Sequence, residues 1–486
     1  MVKPLRLFWL ILMCFAFLGL GLLFPEEIQV GEGFKIKVPQ LTATFWQKKP
    51  TYADISQIRK KFEPPTKKTR QKHPQSGFSR PKAARQYVPD SLRLNAKLRI
   101  QYPKNQDTLL HGFFRALKRL ERGEQDFVRV LHYGDSQLEG DRITAFLREK
   151  FQNTFGGGGL GLLNLVDKLN TKAALAQSAS PQWQPTVMYG PRYRRGTGSF
   201  FGVLGDFYRF ALPGPPAWTK ATLQYSLTQY ASPAQRKINR LRVLYRNPEA
   251  PFELTVQLPN QPEIKEKLEE NKRFGMYELP LSTPFEQVSL GFASGQASPE
   301  VYAVSLDGVP GITFDNIPLR GSSGIEFSRA EANHFKQQFQ ELGVKFVILQ
   351  FGVNIVPNPQ ASYDWYEDLF FQQLKFLKNL VPNLSVLVVG VSDMSYNTGN
   401  GYASYPNIEK IRNAQRKAAF RAGCAFWDLY EAMGGANSMP SWVFAKPVAL
   451  ASRDFTHFTA PGAQLVSEML YNAILTEYDE YNALFN

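Results

Sequence analysis

One stretch constrains this chain more than any other: Phe127-Val128-Arg129-Val130-Leu131-His132-Tyr133 stops at Gly134-Asp135-Ser136, and helical spacing follows from about Glu139 to Phe151. A mostly apolar run of that length, ended by a tight turn and answered by a helix, is how a parallel α/β sheet begins. The same alternation resumes only from about Gly311. Strands are predicted there at Ile312 to Asn316, Lys345 to Gln350, Ser385 to Val391 and Ala425 to Leu429. Amphipathic helices are predicted at Ser328 to Leu342, Tyr363 to Leu380, Asn407 to Ala422 and Pro461 to Leu475, and a helical pattern over Leu109 to Leu120 precedes the first strand. From about Trp183 to Leu306 the pattern changes to short alternating segments broken by Pro, Gly and Asn, such as Ala221 to Tyr225 and Val288 to Phe292. That is the pattern of a small β-sandwich inserted into the α/β unit. A length of 486 residues suits two folded units with additional sequence, and 43% hydrophobic residues argue against disorder.

The N-terminus carries the additional sequence. Lys3 and Arg6 precede an apolar run from Leu7 to Phe24 that Pro25-Glu26-Glu27 ends. Its length is close to the minimum for a membrane-spanning helix, and Gly19-Leu20-Gly21 makes a poor cleavage site, so an uncleaved anchor is expected. Basic residues on the short side place the rest outside the cytoplasm. The expected location is the cell membrane, single-pass, with the folded part periplasmic or extracellular. The net charge of +15 is concentrated: between Lys48 and Lys104 sixteen Lys or Arg face three acids, with Pro50, Pro64, Pro65, Pro74, Pro81 and Pro89 among them. This reads as an extended basic tether rather than a nucleic-acid surface, and nucleic acid is excluded as a partner. Of the two cysteines, Cys14 lies in the anchor and Cys424 in an apolar stretch, which excludes a disulfide framework and cysteine zinc sites.

Chemistry is suggested by two distant pieces. Ser136 stands at the carboxyl end of the first strand, where open α/β sheets place their functional groups. Asp454-Phe455-Thr456-His457 precedes the last helix, and its spacing lets one loop bring a carboxylate to an imidazole. A serine hydroxyl needs such a base, held in one tautomer, to become a nucleophile. Of the five histidines, His73 falls in the tether, His111 before a core helix, His132 inside the first strand and His334 on a helix. Only His457 has a carboxylate in this relation at a loop-to-helix junction. Gly321-Ser322-Ser323-Gly324 follows the second strand and Gly352-Val353-Asn354 the third. The amides of Gly324 and Ser136 and the side chain of Asn354 are therefore candidate oxyanion donors.

Gly-Asp-Ser, a glycine block, Gly-x-Asn and Asp-x-x-His, each after its strand, resemble the SGNH (GDSL-type) hydrolase superfamily. The resemblance implies a flavodoxin-like three-layer domain with Ser136 as nucleophile, His457 as base, Asp454 as its orienter, and Gly324, Asn354 and Ser136 as the oxyanion hole. Gln137 stands where Leu usually follows the serine, Ile355 where Asp is common, and Phe455 where Gly is usual. Gly134 to Asp141 together with Phe155 to Gly161 are more closely similar to the bacterial peptidoglycan O-acetylesterases, which carry a β-sandwich resembling a carbohydrate-binding module at the position of this insert. The organisation expected is an anchor over 1–27, a basic linker over 28–108, a hydrolase domain over 109–175 and 307–486, and an inserted sandwich over 176–306. The Gly156 to Gly161 run lacks the ending of a phosphate loop and reads as a flexible loop near the active site. Trp183, Tyr189, Tyr193, Phe200, Phe201 and Tyr208 are candidates for stacking on sugar rings. The implied activity is removal of O-acetyl groups from a cell-envelope glycan, peptidoglycan or exopolysaccharide, with no cofactor and no metal. The partners expected are the acetylated glycan and, through the N-terminal helix, the bacterial inner membrane. Two alternatives stay open: an O-acetyltransferase working with a membrane-bound O-acyltransferase, and a non-catalytic glycan-binding protein.

Overall fold

The computed structural model describes residues 50–62, 95–167, 172–190, 193, 198–210 and 219–485, with short pieces of the first 37 residues. Its central sheet has six strands: β1 (Ile100–Gln101), β2 (Phe127–Gly134), β3 (Gly311–Pro318), β4 (Val344–Gln350), β5 (Ser385–Val389) and β6 (Ala425–Trp427). They lie in the order β3-β2-β4-β5-β6-β1, all parallel except β1 at the edge. Among the parallel strands this is the doubly wound order in which the chain direction switches beside the first strand, opening a crevice at the carboxyl ends of β2 and β4.

Strand period dictates the layers. Val128 and Val130 of β2 and Ile348 of β4 face α2 (His111–Arg122), α3 (Thr144–Phe155) and α7 (Ala460–Leu484). Leu131 of β2 and Val347 and Leu349 of β4 face α4 (Ala332–Glu341), α5 (Asp364–Lys378) and α6 (Ile408–Arg421). Acids in the first turn of α5 and lysines in its last turn match its dipole. Cys424 is buried, with its thiol pushed up to about 12 by burial, as a core residue would be.

The insert is a sandwich of two antiparallel sheets. One runs Asn271–Pro280, Arg240–Asn247, Glu300–Gly308, Asp206–Arg209, Gln184–Val187, and the other runs Ile264–Leu268, Phe252–Gln257, Gln287–Ser294, Thr219–Leu227, Leu175–Ala179. It begins earlier than residue 176, because Gly158–Leu163 also pairs with Glu300–Gly308. The Gly156 to Gly161 run is therefore not a loop at the active site. It is a close crossing: a Cβ at Gly159 would lie 2.1 Å from the Leu306 carbonyl oxygen, and one at Gly161 2.1 Å from Asp315 Oδ1. A buried ion cluster joins the two units, in which Arg129 of β2 donates to Asp315 of β3 at 3.1 Å and to Asp307 of the sandwich at 2.6 Å.

The span expected as a linker, 28–108, contains docked pieces. Ile100–Gln101 pairs with β6, the Leu98 carbonyl accepts from Trp427 Nε1 at 3.2 Å, and Arg99 holds Glu477 of α7 at 2.8 Å. Residues 50–62, including α1 (Ser56–Phe62), pack on the same unit with Ile55 buried. Burial of a few apolar residues overrides a basic, proline-containing composition here. Residues 30–34, 38–49 and 63–94 of that stretch, and most of the expected anchor from Leu7 to Phe24, lie outside the described residues. Among the described residues no helix is long and apolar enough to cross a membrane.

Candidate active site

β2 delivers its turn to the crevice already locked to both neighbours: Asp135 N–H donates to the Gln350 carbonyl of β4 at 3.2 Å, and Leu319 N–H after β3 donates to the Gly134 carbonyl at 2.7 Å. Ser136 opens a 3-10 turn, Ser136–Asp141, before α3 starts, so the helix expected from Glu139 begins later. The Asp135 carboxylate caps this turn, accepting from Gln137 N–H at 3.0 Å. The amides of Gly352 and Val353, on the loop carrying Asn354, also favour the ionised form of this carboxyl. Burial pushes Asp135 up to about 6, although those amides and nearby His457 pull the other way.

The C-terminal loop completes a relay. Ser136 Oγ lies 2.8 Å from His457 Nε2, and His457 Nδ1 lies 2.7 Å from Asp454 Oδ2. The other Asp454 oxygen accepts the Thr456 and His457 amides, both at 3.0 Å. Burial raises the Asp454 carboxyl, and these bonds from His457 and Thr456 outweigh it, so the group sits below the usual carboxylate range and stays ionised. A carboxylate there fixes the proton on Nδ1 and turns the Nε2 lone pair toward the serine hydroxyl. His132, by contrast, is fully buried and pushed down to about 3, and cannot serve as this base.

The two oxyanion blocks are brought together with each other. Asn354 Nδ2 donates to the Ser322 carbonyl at 2.8 Å, leaving its second hydrogen for another acceptor. Gly324 N–H donates to Ser322 Oγ at 2.9 Å, and that hydroxyl in turn donates to Glu326 at 2.5 Å. Gly324 thus holds an internal partner, which the sequence pattern did not foresee.

Two residues of the site were missed. Gln137 clips the histidine loop from both sides: its Nε2 donates to the Thr456 carbonyl at 2.7 Å, and its Oε1 accepts Phe458 N–H at 3.4 Å. Arg142 donates to the Ser136 carbonyl at 3.1 Å and to the Phe458 carbonyl at 3.4 Å. The signal for Gln137 was present as a polar residue in the place of the usual leucine. Nothing in the sequence marks Arg142, because its targets are backbone carbonyls, one six residues back and one far along the chain. Three of the expected sugar-stacking candidates are corrected: Trp183, Phe201 and Tyr208 are buried core residues. Tyr193 is covered by the Arg329 guanidinium at 4.2 Å, and Phe200 by that of Arg246 at 3.9 Å.

No family model matches the sequence, and no curated protein does. Solved structures do. A peptidoglycan O-acetylesterase superposes with a TM-score of 0.58 at 22% identity, over 77% of this chain and 95% of that one. A family two carbohydrate esterase from Cellvibrio japonicus matches over 63% of this chain and 99% of that one, with a TM-score of 0.23 and 9% identity. An acetyl xylan esterase matches over 34% and 81%, with a TM-score of 0.26 and 17% identity. The chain has the fold of that peptidoglycan O-acetylesterase structure over 77% of its length.

Proposed function

We propose that this chain is a serine esterase that removes O-acetyl groups from a cell-envelope glycan. The observation that carries the reading is the relay from Ser136 through His457 to Asp454 at the carboxyl edge of a parallel sheet. In it, the Ser136 hydroxyl attacks the acetyl carbonyl as its proton passes to His457 Nε2. Asp454 stabilises the imidazolium formed, and the Asn354 amide is a donor for the developing oxyanion. His457 then protonates the departing sugar oxygen, leaving acetyl-Ser136. Water, deprotonated by His457, attacks this ester and releases acetate. The side chains of His457 and Asp454 keep 28% and 49% of their surface exposed. A site that open to water favours hydrolysis of the acyl-serine over transfer to a second sugar.

The likeness to a peptidoglycan O-acetylesterase and the attached β-sandwich support a polysaccharide substrate. The basic residues ahead of the Leu7 to Phe24 run support a location outside the cytoplasm, held at the membrane.

The test is acetate release by the full chain from an aryl acetate and from O-acetylated peptidoglycan, beside Ser136→Ala and His457→Ala. Each variant is expected to lose at least about 10³-fold in kcat with an unchanged melting temperature. Acetate release that survives Ser136→Ala would overturn the mechanism. Acetyl transfer to added oligosaccharide in preference to water would replace hydrolysis with transfer.

A further inference from the structure

The middle of the catalytic loop holds a residue in an unfavourable conformation. Phe455, between Asp454 and His457, has φ +55, a left-handed geometry that a bulky aromatic residue adopts only where its surroundings impose it. The imposing groups are identifiable. Phe455 stacks on Tyr402 with ring centroids 3.6 Å apart and 13° between planes, and its carbonyl accepts Ser395 N–H at 3.1 Å. Both partners belong to one small hairpin, Ser395–Asn397 with Tyr402–Ser404. The hairpin is therefore the mould that shapes the loop carrying Asp454 and His457.

The hairpin is held in turn by the docked N-terminal piece. Ser404 N–H donates to Asn437 Oδ1 at 2.9 Å, Asn437 N–H donates to Ser404 Oγ at 2.7 Å, and Ser404 Oγ donates to the buried Asp393 carboxylate at 2.6 Å. The same Asn437 receives the chain at 51–53: its Nδ2 donates to the Thr51 carbonyl at 3.1 Å, and its carbonyl accepts Ala53 N–H at 3.1 Å. Ser441 Oγ donates to the Ala53 carbonyl at 2.6 Å. An aromatic line runs beside this polar one. Tyr52 stacks on Phe444 at 6.0 Å, and Phe444 meets Phe455 edge-on at 5.7 Å and Tyr402 at 6.2 Å. Ile55, buried, seats the segment behind them.

We propose that residues 50–62 form a brace for the catalytic loop, acting through the hairpin at 395–404, with Tyr402 and Phe455 as positioning residues for His457. Two independent lines, one polar and one aromatic, connect the brace to the residue whose strained backbone sets the Asp454 to His457 geometry. A base displaced by a fraction of an ångström from its serine loses rate without losing substrate binding. The esterase thus depends on a segment some 400 residues away in the chain and outside its sheet.

The proposal takes the Ser136 relay as the active centre, so its test includes a readout that needs no turnover. Hydrogen exchange of the full chain is compared for wild type, Tyr52→Ala with Ile55→Asp, Tyr402→Ala and Tyr402→Phe. Opening of the 50–62 peptide in the double variant is expected to raise exchange in the 452–459 peptide about tenfold, with the β2 peptide unchanged. Tyr402→Ala is expected to do the same with the brace still closed, while Tyr402→Phe keeps the stack and wild-type exchange. On an aryl acetate, kcat falls about tenfold in the first and second of these variants, KM stays within about twofold, and Tyr402→Phe restores kcat. Wild-type exchange at 452–459 in Tyr402→Ala, or in a double variant whose 50–62 peptide has opened, would overturn the brace. Should the double variant leave 50–62 closed, the Tyr402 arm decides. A wild type that hydrolyses no ester would overturn the esterase reading and leave the exchange result to judge the brace alone.

Discussion

Between the two sheets of the β-sandwich the buried side chains are aromatic and aliphatic, including Trp183, Tyr225, Leu254 and Phe292. Beneath the Ser136 edge of the parallel sheet they are polar: Asp135, Gln137, Gln350 and Asp393 are all buried, and each has hydrogen-bond partners. The difference teaches what each interior is for. Apolar packing is tolerant of direction and supplies stability. A buried polar network is costly unless every bond is made, and in return it specifies one geometry.

Three substitutions probe that contrast, beginning with the largest expected effect. Trp183 packs edge-on against Phe210 and Phe292 and donates its indole N–H to the Thr222 carbonyl at 3.1 Å. Trp183→Ala is expected to cost about 3–5 kcal/mol of stability, seen in denaturant unfolding, with kcat per folded molecule unchanged. A drop in kcat without loss of stability would mean that this tryptophan serves the substrate after all. Asp135 sharpens the other side through its titration. Its carboxyl is raised to about 6 in the fold, so the unfolded chain ionises first as pH climbs from about 4. The unfolded state then holds fewer protons, and this group's contribution turns against the fold by about 3 kcal/mol between about pH 4 and pH 6. Asp135→Asn, which cannot ionise, should gain stability relative to wild type across that window, and parallel unfolding curves at pH 4, 5, 6 and 7 would contradict the assignment. Gln137→Ala removes the clip on the histidine loop. Its expected signature is a kcat about tenfold lower with KM nearly constant, while unfolding changes little. A change confined to KM would place Gln137 against the substrate instead.

The strand-turn-helix at Phe127 to Phe151 and the later βα alternation were legible because a doubly buried strand writes an apolar run and an amphipathic helix writes a 3.6-residue period. The predicted strands at 312–316 and 345–350 became Gly311–Pro318 and Val344–Gln350, and the last helix ran on to Leu484. Less legible was the start of the sandwich: Gly158–Leu163 is a glycine-rich strand whose identity depends on how closely a neighbouring backbone approaches. The aromatic residues misled for a related reason. Trp183 and Tyr208 have the same composition whether they face a partner sheet or solvent, and only strand pairing chooses between those faces.

What the sequence determined by itself was the chemistry on offer: a serine after the first strand, an Asp-x-x-His before the last helix, and the order of strands between them. Local pattern suffices for that, since each motif is read within a few residues of its own strand or helix. What only the tertiary structure decided was the support. Gln137 meeting Thr456, Arg142 meeting Phe458, and Asn437 meeting Thr51 are contacts between segments set side by side by sheet order and burial. These run from a side chain to the backbone. Such contacts put little constraint on the partner's side chain, so they leave almost no mark in the sequence at one end and none at the other.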